Sequence, residues 1–262
     1  MAATGSPRPD VCIVGMGAAG ATAAHVLAEA GLRVLVLEAG PGLDQKDARP
    51  DELMAAYARA GYGPKFNQEL QTWRPVPDAE AAPATYSLGK MVNGVGGSTQ
   101  IYGTWMRRYQ RHDFLIRSST VARYGEAAIP PDADVVDWPL TYDDLEPYYG
   151  RVERLMGVAG VPGNVRGQPV PGGNPFEGYR GEPLPLPPPR RTPTGELFTA
   201  AGRRLGYHPF PVPASINTEP YDGRPACTYC GWCTFYVCHN DAKTTAGNSF
   251  ARRAPSLGGM PK

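Results

Sequence analysis

The chain has 262 residues, enough for one large domain or two smaller ones with cores of their own. Its 26 basic and 25 acidic side chains leave a net charge of +1, which excludes the clustered positive surface a nucleic-acid partner requires. No apolar run approaches the roughly 18 residues that cross a bilayer, so no direct membrane span is expected.

The opening MAATGSPRPD has neither an apolar core nor a twin arginine, and reads as a short lead rather than an export signal. VCIVG (11–15) is a short apolar, β-branched run suited to a buried strand. AAGATAAHVLAEAG (18–31) follows as a helix of small residues and good helix formers, closed by Gly31. LRVLVLE (32–38) is a second buried strand, so the three make a parallel βαβ unit with a right-handed crossover. Cys12 reads as core, and His25 as a packing or surface residue of the helix.

Between strand and helix, GMGAAG sets Gly15, Gly17 and Gly20 in a G-x-G-x-x-G array, with Ala19 inside it. Gly15 lets the chain turn out of the strand, Gly17 lets backbone amides approach a pyrophosphate, and Gly20 lets the helix lie close on the sheet. Phosphates would meet unpaired N–H groups at the positive end of the helix dipole. Glu38 ends the second strand, where a carboxylate can accept hydrogen bonds from ribose hydroxyls. FAD and NAD share the ADP half that such a turn binds.

PDELMAAYARAGYG (50–63) is expected to form a short helix, and residues 62–88 show no period. LGKMVNGVGGSTQIYG (88–103) is a second glycine loop, in which Gly94, Gly96 and Gly97 precede Ser98 and Thr99. Such a run can form a nest of amides with hydroxyl donors for phosphate oxygens, though its composition also suits a flexible surface loop. In WPLTYDDLEPYYGRVERLMG (138–157), Leu145, Tyr149, Val152 and Met156 form a helical stripe facing a core. Pro147 lacks the N–H of a helix interior, which predicts a start near Glu146 with TYDD as a preceding turn. Prolines crowd the remainder to residue 225; 161–195 reads as a surface-hugging connection and PTGELFTAAGRRLG (193–206) as one more short helix.

CTYCGWCTFYVC (227–238) holds Cys227, Cys230, Cys233 and Cys238 in the spacing C-x₂-C-x₂-C-x₄-C. The first three repeat the rhythm of bacterial ferredoxin loops, which favours an iron–sulfur cluster. Zinc, whose ligand pairs usually lie further apart, and disulfides, with Cys233–Cys238 the easiest to close, are the other readings. Tyr229, Trp232, Phe235 and Tyr236 alternate with the thiols and would keep a centre dry or serve as packing. Lys243 reads as a solvated or phosphate-facing residue. Cysteines gathered in one patch are unlike a secreted disulfide framework, so a reducing, cytoplasmic setting is expected.

Five blocks, in order, resemble the glucose–methanol–choline (GMC) oxidoreductases, and most of all their bacterial gluconate 2-dehydrogenase-type flavoprotein subunits. They are VGMGAAGATAAHVLAEAGLRVLVLEAG, GVGGSTQIYGTWMRRYQRHDF, DWPLTYDDLEPYY, PYDGRPACTYCGWC and AKTT. The resemblance implies an α/β fold: a Rossmann-like FAD-binding domain with a parallel sheet (8–130), then an incomplete substrate domain with a Pro-rich connection (131–226) and a cysteine-rich block (227–250). It implies extended FAD held at Gly15, Gly17, Ala19, Gly20 and Glu38 and at Gly96, Gly97, Ser98 and Thr99, with Tyr102 and Gly103 near the reactive edge of the flavin.

The activity implied is oxidation of a CH–OH group of an alcohol, sugar or sugar acid, with hydride passing to flavin N5 and electrons to a separate acceptor. Some members of the branch pass electrons through an iron–sulfur centre to a haem protein. A small subunit and a cytochrome are therefore the implied partners, and export to the periplasm with a partner is the alternative location. Family members continue well beyond this length, and their catalytic histidine comes from a later segment that His25, His112, His208 and His239 do not match. No catalytic residue is assigned, and the chain alone is expected to bind FAD weakly or not at all and to be inactive. A reading from another class is a non-catalytic remnant whose cysteines bind metal and whose surface engages other subunits. An NAD-dependent dehydrogenase would leave the second loop and the cysteine patch without a purpose.

Overall fold

In the computed structural model of the protein, the first apolar run forms β1 (Val11–Val14). Small residues and good helix formers give α1 (Ala18–Glu29), and the next β-branched run gives β2 (Val34–Leu37). β1 and β2 pair in parallel with Val11 opposite Val34 and Val14 opposite Leu37. Gly31, at φ +83°, supplies the left-handed turn that ends α1, as its position after the helix predicts. The structure describes residues 8–42, 94–234 and 236–253, with positions 48, 51, 72–74, 76, 78–80, 82–83 and 92 between them. The predicted helix over 50–63 lies outside the described residues apart from Asp51, as does Phe235.

The chain divides into two compact units, residues 1–103 with 228–262, and residues 104–227. The first unit also holds a short antiparallel pair, β3 (Thr72–Trp73) with β4 (Ala82–Pro83), and a 3₁₀ turn at Gly97–Gln100. A π-helical turn at Gly247–Ala251 packs beside α1, where the rings of His25 and Phe250 lie 5.9 Å apart. Ala21, Ala24, Ile101, Ala242, Ala246 and Phe250 are buried in this unit. His25 is therefore a packing residue: it is 2% exposed, and its imidazole lies 3.3 Å from Glu29 without an aligned hydrogen bond. Cys12 departs from expectation. It is exposed, on the same face of the β1–β2 pair as Val14, Leu35 and Leu37, because none of the described residues covers that face.

The second unit is built on the pairing of residues 104–106 with 213–215. Met106 donates to the Pro213 carbonyl at 2.8 Å, and Ser215 to that of Thr104 at 2.9 Å. Together with the proline-rich stretch, residues 104–130 belong to this unit. Its helices are α2 (Arg111–Phe114), α3 (Ile116–Tyr124), α4 (Tyr142–Met156) and α5 (Pro193–Arg204). The proline-rich connection contains a two-residue hairpin, β5 (Asn164–Val165) with β6 (Gln168–Pro169). Asp137 closes the start of α3, accepting from the amides of Arg117 at 2.8 Å and Ser118 at 3.0 Å.

α4 begins four residues before its predicted start. Thr141 and Asp144 form a capping box, with the Thr141 amide 2.8 Å from the Asp144 carboxylate, and this outweighs the single helical bond that Pro147 forfeits inside the helix. Its inward stripe includes a charge that hydrophobic periodicity does not reveal. Glu153, 5% exposed, receives Arg108 through two bonds of 2.9 and 2.8 Å and is also bonded to Arg180 at 2.5 Å. Arg108 also reaches Tyr142 and Glu146, each at 3.1 Å, so the buried charges are paired and hydrogen-bonded. Burial works to lower the Arg108 pKa, but Glu153 outweighs it and holds the guanidinium above its ordinary value. No helix among the described residues is long and apolar enough to cross a membrane.

Candidate dinucleotide site

The first glycine turn leaves β1 at Gly15, whose φ of +92° only glycine adopts readily and whose amide donates to the Leu37 carbonyl at 2.7 Å. Gly17 caps α1 with extended backbone; no side chain caps the helix, and its first turn holds no acidic residue. The positive end of the α1 dipole is thus left for an anion, with Ala19 exposed in that first turn. Gly20 fulfils the third role of the motif: a Cβ there would lie 2.0 Å from the Gly15 carbonyl oxygen. Glu38 turns back on the glycine turn, its two oxygens accepting from the amides of Met16 at 2.6 Å and Gly40 at 2.9 Å. A carboxylate has about four lone-pair sites, so acceptor capacity for hydroxyls remains.

The second glycine loop meets the first. The Gly96 amide donates to the Met16 carbonyl at 2.8 Å, and a Cβ on Gly97 would stand 3.0 Å from the Gly17 Cα. Gly96 and Gly97 have φ of +93° and +53°, the left-handed conformations that turn the loop onto its partner. The side chains that follow divide in role. Ser98 is exposed, whereas the Thr99 hydroxyl is engaged internally, donating to the Gly96 carbonyl and accepting from the Ala246 amide at 2.9 Å. Tyr102 donates from its hydroxyl to the Thr244 carbonyl at 2.6 Å. Buried Gln100 ties Val95 at 2.9 Å and lies against Gly247, so the AKTT region braces the loop. FAD fits this cradle chemically: uncapped helix amides, Cβ-free backbones at the closest approach and an acceptor at the end of β2 are the groups its ADP half requires.

The cysteines are not assembled in the same way. Cys230, Cys233 and Cys238 belong to the first unit and Cys227 to the second, and all four are free thiols. Among the described residues no three His, Cys, Asp or Glu side chains gather as metal ligands. Cys230 Sγ lies 3.9 Å from His239 Nδ1, and Cys238 Sγ accepts from the Lys243 amide at 3.4 Å. Within the first unit, Cys230, Cys233 and Cys238 as placed do not gather as ligands of a cluster or of zinc. Trp232 and Tyr236 meet edge to face at 4.7 Å.

Lys243 overturns its solvated reading. It is 1% exposed, and its Nζ donates to the carbonyls of Cys233 and Tyr236, both at 2.7 Å, and of Tyr102 at 3.4 Å. Burial pushes its pKa down to about 8, against the opposite pull of the Cys233, Cys238 and Cys230 thiols. The lysine ties the cysteine-rich loop to the end of the second glycine loop. Nothing in its local sequence separates it from an exposed lysine.

The comparisons with known proteins agree with this geometry. A family described as FAD dependent oxidoreductase matches residues 10–70, which include the first glycine turn and Glu38. The chain is 29% identical to a gluconate 2-dehydrogenase flavoprotein of Pantoea cypripedii, over 91% of this chain and 41% of that one. It is 35% identical to the 6'''-hydroxyparomomycin C oxidase of Streptomyces lividus (89% and 36%), and 32% identical to the fructose dehydrogenase large subunit of Gluconobacter japonicus (85% and 39%). Residues 10–70 thus resemble the FAD-dependent oxidoreductases. The chain as a whole is a homologue of GMC-type oxidoreductases, among them the gluconate 2-dehydrogenase flavoprotein and the fructose dehydrogenase large subunit. It spans 36–41% of the length of these relatives.

Proposed function

We propose that this chain is the FAD-binding portion of a dehydrogenase that oxidises CH–OH groups of alcohols, sugars or sugar acids and passes the electrons to a separate acceptor. The contact of Gly97 with Gly17 beside the uncapped start of α1 carries this reading, because a fold that needed only a tight turn would not require two glycine backbones to touch. Bound there, FAD would supply the hydride-accepting ring. The chain's own part is positional. The first-turn amides of α1, near Ala19, hold the diphosphate, Glu38 accepts from ribose hydroxyls, and exposed Ser98 offers a hydroxyl to the same anion. The substrate class follows the relatives named for gluconate and fructose.

Within the first unit, neither His25, which packs on Phe250, nor His239, which stands beside Cys230, makes a hydrogen bond to either glycine loop among the described residues. Cofactor binding without turnover is accordingly this chain's part. Titration of the 262-residue chain with FAD, followed by flavin fluorescence, tests it. The sequence alone points to weak or absent FAD binding, but the close approach of the two glycine loops supports saturable binding, which Gly97→Val is expected to weaken at least about tenfold, since the added branches must push against the Gly17 backbone. Equal binding by both proteins, or none by the wild type, would refute it.

A further inference from the structure

Within the second unit, α5 turns the usual pattern of a surface helix inside out. Pro193 opens the helix and the Thr192 hydroxyl accepts from the Gly195 amide at 3.1 Å, so its start is well capped. The residues that pack on the unit are small. Thr199 and Gly202 are buried and Gly195 half-buried, a stripe at i, i+4 and i+7. The approach there is close, since a Cβ on Gly202 would stand 2.8 Å from Pro209 Cγ. The large apolar residues face the other way: Leu197, Phe198 and Leu205 are 73%, 72% and 73% exposed. At 3.6 residues per turn, Leu197 and Phe198 bound an arc of about 100°, with Ala201 and, at the helix end, Leu205 inside it. An apolar stripe of that width normally faces a core.

Charge specifies what would cover this ridge. Residues 190–204 hold Arg190, Arg191, Arg203 and Arg204 against one acid, Glu196, in a chain whose net charge is only +1. Glu196 is itself offset by Arg191, 3.8 Å away. Arg204 is exposed and forms no ion pair among the described residues. By helical rotation it stands beside Leu197, on the margin of the apolar arc. An arginine so placed lays its stem along apolar surface and carries its guanidinium to an anion. A second copy docked on the ridge would bring two segments of one sign together. A bilayer with anionic headgroups neutralises them and accepts a convex apolar helix lying in its plane.

We propose that α5 is an interfacial helix that rests on an anionic lipid surface, with Leu197, Phe198 and Leu205 entering the acyl boundary and Arg204 meeting headgroup phosphates. The surface lies wholly within residues 104–227 and does not rest on flavin binding. Flotation of the 262-residue chain with vesicles of phosphatidylcholine, alone or mixed about equally with phosphatidylglycerol, tests it. Binding to the mixed vesicles is expected to exceed that to the neutral ones about tenfold, and to fall several-fold as salt rises from about 0.05 to 0.5 M. Leu197→Ser with Phe198→Ser is expected to weaken binding at least about tenfold, and Arg204→Gln about fivefold on the mixed vesicles alone. Both variants should keep the far-ultraviolet circular dichroism of the wild type, because the altered side chains are exposed. Val14→Ser with Leu37→Ser alters the other bare apolar face, that of the first unit, and should leave vesicle binding unchanged. Absence of binding to the mixed vesicles would overturn the proposal. So would binding that the α5 variants leave untouched or that the first-unit variant abolishes, or self-association in sedimentation velocity that Leu197→Ser with Phe198→Ser removes.

Discussion

Gly20 shows how little freedom a single position can have. A methyl group there would lie 2.0 Å from the Gly15 carbonyl oxygen and 3.4 Å from the Ile13 side chain, so α1 would have to lift from the strand. Gly20→Ala is expected to destabilise the first unit by about 1–3 kcal/mol, the usual cost of forcing extra atoms into a close contact. Gly42→Ala, where a Cβ meets nothing within 4 Å, is the control and should be close to neutral. Urea unfolding of the two variants checks both. The glycine motif was legible because each of its residues has a distinct steric duty. Lys243 and Glu153 were not, because a charged side chain reads as surface until its partners, Tyr102 and Cys233 for one and Arg108 and Arg180 for the other, are known in space.

At the level of elements, local signals competed and the stronger won. β1, α1 and β2 were legible from uninterrupted apolar runs and from Gly31, and α5 from Pro193 at its first turn with Thr192 before it. In α4, Pro147 suggested a later start, but the Thr141–Asp144 box sets it. The bonds from Thr141 depress the Asp144 pKa, and those from Ser118 and Arg117 depress that of Asp137. Both carboxyls therefore have folded-state pKa values below their unfolded ones. The stability they contribute is present above the unfolded value of about 4 and is lost as pH falls through the folded value. The second unit is expected to unfold more readily below about pH 4, and Asp144→Asn should flatten that acid limb while lowering stability at neutral pH. Circular dichroism melts across pH 2–7 (~five points) read both effects.

At the scale of the whole molecule, one face of the parallel β1–β2 pair is bare among the described residues. Such sheets are normally covered on both faces, yet here Val14, Leu35 and Leu37 are 85%, 45% and 51% exposed beside Cys12. Cys12 in the native 262-residue chain is therefore expected to react with N-ethylmaleimide at a rate close to that of the denatured chain, as followed by mass spectrometry. Protection of Cys12 in the native chain would show this face to be covered. Cys12 reads as core in the sequence because a buried-strand pattern does not reveal what lies against each face of the strand. The pairing of 104–106 with 213–215 is likewise a non-local contact that no local pattern announces.

The meeting of Gly17 with Gly97 makes two stretches eighty positions apart hostage to one another. A designer who alters the shape of the leading bend must at the same time reshape the later one. Libraries that vary either stretch singly will discard combinations in which two individually harmful changes accommodate each other.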